Sequence, residues 1–139
     1  MHIEIEITST LIEPSGVLPT ELAGQVGAIA EFQGRVRDQE AGRIIAALEY
    51  EAYTPMAQDL IRCILEEIAT RHPCLFARVT HRLGVVPVGE AAIQVVVAAR
   101  HRAEAFALLA EFMDRLKQDV PIWKRRALTA DDLARLQTP

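Results

Sequence analysis

Ile3, Ile5 and Ile7 alternate with Glu4 and Glu6 across residues 2–8, the two-residue period of a strand with one buried face. Pro14, Gly16 and Pro19 then make a loop, and a helical turn starting at Thr20 or Glu21 ends at Gly24. Residues 26–36 read as a strand broken near Gly34, 38–42 as a turn, and 43–53 as the return strand. Thr54-Pro55 predicts a helix start, with Thr54 as N-cap and Pro55 in the first turn, where a missing N–H is tolerated. Met56, Leu60, Ile61, Ile64, Leu65 and Ile68 recur at three- and four-residue steps, so this helix runs to about Arg71 and stops before Pro73. Residues 75–86 and 91–100 predict two strands joined by a hairpin loop at Pro87-Val88-Gly89-Glu90. A second helix covers 102–118, with Phe106, Leu109, Phe112, Met113 and Leu116 on its buried face and Pro121 ending it. Residues 122–128 give a short strand and 131–136 a final helical turn. Strands come in pairs with helices between them, which predicts an α+β domain with a mainly antiparallel sheet and two main helices.

At 139 residues and 50% hydrophobic, the chain fits one domain spanning 1–139, with enough apolar surface for a core of its own. The strongly apolar run at 91–99 is interrupted by Gln94 and too short to cross a bilayer, so no membrane association is expected. Met1-His2-Ile3-Glu4 has neither the basic nor the apolar region of a secretory leader, and Cys63 and Cys74 form no metal-spacing motif. A cytoplasmic protein is expected.

Charge changes the picture. The formal net charge is −4, yet residues 100–126 hold seven Lys/Arg against four acids, a balance of +3, and the rest of the chain balances to −7. A basic patch on an acidic protein argues against nucleic acid as a partner and suits a small anionic ligand or an acidic peptide tail. Of the fifteen basic residues thirteen are Arg, and the two Lys, Lys117 and Lys124, lie in one short stretch. An amine can move a proton or attack a carbon, which a guanidinium cannot. Arg-rich codon usage with two leftover lysines fits the same count.

Three segments could carry chemistry. Arg100-His101-Arg102 stands where a strand gives way to a helix, and the unpaired N–H groups and dipole of a helix start favour an anion. Arg35 and Arg37 share one face of an extended chain, with Gly34 letting the backbone bend or a ligand approach. Lys117 ends the second helix, where a cation is favourable on dipole grounds alone, and Lys124 follows Trp123 on the opposite face of the predicted strand. Solvated surface charge is the alternative for each. His81 reads as a hydrogen-bonded structural residue, and Glu49 and Glu51 as a polar outer strand face. The sequence has no Ser-His-Asp order, Cys-His pair, P-loop, dinucleotide fingerprint or metal-ligand spacing. On these residues alone the chain is an anion-binding α+β domain.

Taken in order, the segments resemble the catalytic large subunit of molybdopterin synthase. The matching landmarks are Gly27-Ala28-Ile29-Ala30-Glu31-Phe32-Gln33-Gly34-Arg35-Val36-Arg37, Leu48-Glu49-Tyr50-Glu51-Ala52-Tyr53 with Met56-Ala57, and His81-Arg82-Leu83-Gly84. They continue with Val88-Gly89-Glu90, His101-Arg102-Ala103-Glu104-Ala105-Phe106, Leu116-Lys117 and Pro121-Ile122-Trp123-Lys124. The resemblance implies an α/β hammerhead-type fold and a homodimer within a heterotetramer. A small ubiquitin-like sulfur-carrier subunit sits at each distal end and inserts its C-terminal Gly-Gly tail, charged as a thiocarboxylate. Sulfur then passes to a pterin phosphate substrate, cyclic pyranopterin monophosphate, in two rounds without metal or organic cofactor. By the same resemblance Lys117 and Lys124 are the catalytic lysines. Arg37, His101 and Arg102 hold the substrate phosphate, the latter two reaching across from the dimer mate. Phe32 and Met113 line the pocket, with plain core as their alternative.

The sequence departs from the family pattern in three places. Arg126 stands where an acid is common, residue 100 is Arg rather than a small residue or Pro, and the chain ends at Pro139, short of members whose C-terminal segment continues beside the pocket. Two further readings therefore stand beside the enzyme. One is a family member that binds the carrier tail with reduced or lost catalysis; the other is a phosphate-ligand sensor that needs no carrier.

Overall fold

Alternating Ile3, Ile5 and Ile7 turn one face of His2–Thr8 (β1) inward, while Glu4 on the other face pairs with Arg78 at 3.0 Å. The computed structural model describes residues 1–13 and 18–138; the loop expected at Pro14 and Gly16 lies outside the described residues. β1 joins a four-stranded sheet with Ala28–Arg35 (β2), Phe76–Arg82 (β6) and Ala91–Ala99 (β8), in the order β1-β6-β8-β2. The β1–β6 pair is parallel and the other two are antiparallel. β8 is central and buried along nearly its whole length, which explains its near-continuous apolar run.

The helices Met56–Ala69 (α1) and Arg102–Asp119 (α2) cover one face of this sheet. α1 buries Ala57, Ile61, Ile64, Leu65 and Ile68, and α2 buries Ala105, Leu108, Phe112 and Leu116. Each large side chain removed from water there contributes about 1.5–3 kcal/mol. The inward stripe of α2 differs from the expected one by a rotation: it runs through Ala105 and Leu108, so Phe106 is 62% exposed. Met56 at the start of α1 is likewise exposed. α1 also starts one residue later than expected. Pro55, not Thr54, is the N-cap and makes no side-chain cap; the first-turn donors of Ala57 and Asp59 go to the carbonyls of Tyr53 and Pro55 at 2.7 and 3.0 Å.

Two long strands of the sequence reading are each divided. The stretch 75–86 breaks at Gly84, whose φ of +82 is a left-handed conformation that suits glycine, so that Gly84–Pro87 (β7) leaves the first sheet. β8 therefore pairs with β6 and not with the strand that directly precedes the loop. The stretch 43–53 divides into Arg43–Ile44 (β4), which forms a small ribbon with Gln39–Glu40 (β3), and Ala47–Ala52 (β5). Ala41 and Gly42, both at positive φ, turn that ribbon. β2 consequently pairs with β8 rather than with a return strand. β7 and β5 join Ile122–Leu128 (β9) in a three-stranded antiparallel sheet, order β7-β5-β9, over a second cluster of Val36, Ile45, Leu48, Val86 and Ala92. Ala130–Gln137 (α3) follows, capped by a reciprocal Thr129–Asp132 box. The architecture is mixed α+β with mainly antiparallel pairing, as expected from the sequence. Among the described residues, no helix is long and apolar enough to cross a membrane.

Candidate active site

Where the two sheets meet beside the last turns of α2, they leave a cavity of about 470 Å³, within the size range of small-molecule sites. Met113, Leu116 and Lys117 reach it from one face of α2, at i, i+3 and i+4. Phe32, Gly34 and Arg35 come from β2, Arg37 from the loop after it, and Ile122, Trp123 and Lys124 from β9. Gly34 is required by close packing: a Cβ there would lie 2.7 Å from Cγ2 of Ile93. Trp123 and Lys124 both border the cavity, although successive strand residues are expected on opposite faces. The β5–β9 ladder slips between Glu49 and Tyr50, so that Glu49 faces Arg126 while Tyr50 faces Lys124, and this bulge re-aims the strand.

The four cations of the wall are not equivalent. Arg35 is committed to the carbonyl of Gly89 through its Nε at 2.9 Å. Lys124 is held by Glu40 of β3, with Nζ 3.2 and 3.5 Å from the two carboxylate oxygens. Arg37 and Lys117 are exposed and, among the described residues, make no hydrogen bond or ion pair. Arg126, one of the expected departures from the resemblance, is turned to Glu49 at 2.9 Å and does not line the cavity.

Two uncharged titratable groups complete the wall. His81 at the end of β6 is 5% exposed, and its Nδ1–H donates to the carbonyl of Arg82 at 2.9 Å. Burial drives its pKa below the usual 6.5, only partly opposed by that hydrogen bond. The Tyr50 ring meets the imidazole edge-on, with centroids 5.3 Å apart. Burial, reinforced by the charge of Glu40, raises the Tyr50 hydroxyl above its ordinary value. From sequence, His81 reads as a hydrogen-bonded structural residue and Tyr50 has no role. The landmark His81-Arg82-Leu83-Gly84 was the one signal available for the imidazole, and nothing in it says that the ring faces a cavity.

His101 and Arg102 lie elsewhere. His101 is the extended N-cap of α2, without a side-chain cap, and Arg102 is the first helical residue; both are exposed. Fifteen residues of helix at about 1.5 Å each place Arg102 roughly 22 Å from Lys117 along the axis. His101 borders a smaller hollow of about 220 Å³ with Pro73, Cys74, Leu75, Arg100 and Glu104. Of the seven residues singled out from sequence, one chain thus gathers five, Phe32, Arg37, Met113, Lys117 and Lys124, around one cavity, and leaves His101 and Arg102 at the far end of α2. Among the described residues no group of three or more His, Cys, Asp or Glu side chains is placed to hold a metal ion.

A family model described as MoaE protein matches residues 7–119. The chain belongs to the MoaE family. It is 39% identical over 120 residues to the molybdopterin synthase catalytic subunit of Bacillus subtilis (strain 168), covering 86% of this chain and 76% of that one. The molybdopterin synthase structure from Staphylococcus aureus superposes with a TM-score of 0.78 at 31% identity, covering 91% of each chain. A complex of subunits 1 and 2 of molybdopterin-converting factor from Helicobacter pylori 26695 gives a TM-score of 0.66, covering 94% of this chain and 90% of that one; at 20% identity it shows likeness of fold. The family, fold class and enzyme class expected from the sequence are those of these MoaE relatives.

Proposed function

We propose that this MoaE-family chain is the catalytic half of a sulfurtransferase that converts cyclic pyranopterin monophosphate to molybdopterin. The sulfur comes from the C-terminal thiocarboxylate of a small ubiquitin-like carrier ending in Gly-Gly. The observation that carries this reading is the convergence of Lys117, Lys124 and Arg37 on one cavity. Once the tail's sulfur has bonded to the substrate, the resulting thioester carbonyl gains negative charge as its carbon is attacked, and an ammonium aimed at that oxygen stabilises the transition state more than the ground state. Lys117, without a partner among the described residues, is available for that contact; Lys124, oriented by Glu40, stands across the cavity on β9. Arg37 offers a planar fork to the substrate phosphate, and Phe32 and Met113 give the pterin an apolar surface.

His101 and Arg102 enter this site from a second copy. Their distance from Lys117 within one chain is too great for a shared substrate, and their exposure leaves them free to reach a neighbour. The working unit is accordingly a homodimer of single-domain chains carrying one carrier at each end. The complex of two subunits among the structural relatives supports a small partner protein. Neither a metal nor an organic cofactor has a part in the reaction as written. The alternative of a carrier-tail binder without catalysis loses one of its grounds, because Arg126 is neutralised by Glu49 away from the cavity. Incubation with cyclic pyranopterin monophosphate and thiocarboxylated carrier, followed by fluorescence of the oxidised product, tests the reading. Molybdopterin is the expected product, and tight binding of both without turnover overturns the assignment in favour of the binding module.

A further inference from the structure

Building on that sulfur-transfer reading, we propose that His81 is a further catalytic residue, whose Nε2 takes the proton from the water that releases the carrier tail. The reaction sets the need. A tail R–CO–S⁻ whose sulfur displaces an oxygen from a substrate carbon, the C–O electron pair leaving on that oxygen, becomes a thioester, R–CO–S–R′. Release exchanges the C–S bond for a C–O bond. Water's oxygen bonds to the carbonyl carbon and its proton passes to a base. The C–S bond then breaks, its electron pair leaving on sulfur as the substrate thiolate. The base returns its proton to that thiolate, and the tail departs as a carboxylate after losing its acid proton to solvent. No oxidant or reductant is involved.

The cavity offers one group suited to the role. Arg35 and Arg37, from β2 and the loop after it, have no lone pair to give. The ammonium groups of Lys117 on α2 and Lys124 on β9 are donors. Tyr50 on β5 holds its proton more tightly than usual, and Glu40, which faces both Tyr50 and Lys124, is occupied in its ion pair and does not line the cavity. His81 remains. Its Nδ1–H is fixed on the Arg82 carbonyl, which makes Nε2 the ring's lone-pair nitrogen, and Nε2 has no hydrogen-bond partner among the described residues. Burial disfavours protonation and outweighs the opposing hydrogen bond to Arg82, so the ring is a neutral acceptor at neutral pH. The Tyr50 ring edge and the backbone bond fix its orientation.

The test is a rapid-quench reaction of thiocarboxylated carrier and cyclic pyranopterin monophosphate in ¹⁸O-water, comparing the wild-type chain with His81→Asn and His81→Ala. An Asn amide can still donate to the Arg82 carbonyl but supplies no base. Both variants should slow product formation by about 10²–10⁴-fold, with a carrier–substrate adduct accumulating in the intact-mass spectrum. Added imidazole should rescue His81→Ala, and the wild-type tail should gain ¹⁸O. Adduct decay in the wild type should fail only below pH 6.5. Wild-type adduct decay in either folded variant, slow turnover without adduct, or a tail lacking ¹⁸O overturns the role of His81. If neither variant folds, the wild-type profile decides, and loss of decay at or above pH 6.5 overturns the proposal. A wild-type chain that forms neither adduct nor product overturns the sulfur-transfer reading and this proposal with it.

Discussion

The two ends of α2 carry residues from two of the three basic segments picked out from sequence, and they differ in kind. At the C-terminal end Lys117 faces walls supplied by β2, β5, β6, β8 and β9, and the result is a cavity of about 470 Å³. At the N-terminal end His101 and Arg102 stand exposed beside a hollow of about 220 Å³. One end is enclosed by the chain's own fold. The other presents a helix start, with its unpaired N–H groups and favourable dipole, and only part of a wall. A cluster of charge in the sequence therefore does not by itself mark a complete site; what surrounds it decides.

The sharpest way to break this contrast is at Lys117. Replacing it with Ala removes an exposed cation with no partner among the described residues, so stability should be unchanged. Turnover should fall by about 10²–10³-fold or more, the usual cost of removing one group that stabilises developing charge. Normal molybdopterin yield from Lys117→Ala would remove the enclosed end from the chemistry.

Arg102 tests the open end. Arg102→Ala should raise the KM for the pterin phosphate by roughly 10-fold or more, the cost of one charge-assisted contact, with little change in melting temperature. Mixing decides whether the two ends meet across a dimer. Chains carrying Lys117→Ala and chains carrying Arg102→Ala, co-expressed in equal amounts, form about half mixed dimers, each with one site free of both changes. Roughly a quarter of wild-type activity should return at limiting substrate. No recovery would mean that each chain works with its own two ends, against their separation of roughly 22 Å.

Much of the fold was legible from periodicity. The alternation of Ile3, Ile5 and Ile7, the stripe of α1 and the apolar run of β8 report directly on which faces are buried. What periodicity does not encode is which sheet a strand joins. Residues 75–86 keep a strand pattern across Gly84, yet the chain turns there into a second sheet, and 43–53 divides in the same way. Phe106 was misplaced because the true stripe begins with the small Ala105, which carries little hydrophobic signal. In the site, the two lysines were visible as the exceptions in an Arg-rich chain and through family resemblance. His81 was not, because its burial, its fixed tautomer and its contact with Tyr50 are all made by tertiary packing.

Two glycines sharpen the comparison at the level of stability. Gly27, beside the open end, donates its N–H to Ala99 at 3.0 Å, and a Cβ there would collide with the carbonyl oxygen of Arg100. Backbone cannot swing aside, so Gly27→Ala should cost about 1–3 kcal/mol and lower the melting temperature by several degrees. At Gly34, beside the enclosed end, the clash is with a side chain, Cγ2 of Ile93. Gly34→Ala should therefore cost less stability than Gly27→Ala in the same thermal melt. The reverse order would mean that the wall of the cavity is the more rigid of the two.

A last test concerns the hollow itself, away from the chemistry, and it separates a packed surface from an open pocket. Cys63 on α1 is exposed, whereas Cys74 lines the hollow, is 8% exposed and donates to the carbonyl of Glu104 at 3.5 Å. Burial, with a smaller push from the charge of Glu104, raises the Cys74 thiol to about 11. The thiolate is the reactive form, so at pH 8 iodoacetamide should modify Cys63 on the order of 100-fold faster than Cys74. The shift has a matching sign in stability. An unfolded thiol gives up its proton near pH 9 while the folded one keeps it to about 11, so Cys74 favours the native state below pH 9 and that contribution is lost as pH rises from 9 toward 11. Equal labelling of the two cysteines in the native chain would show that water enters the hollow freely. The open end of α2 would then already be a solvated cleft in one chain, with no need of a neighbour to complete it.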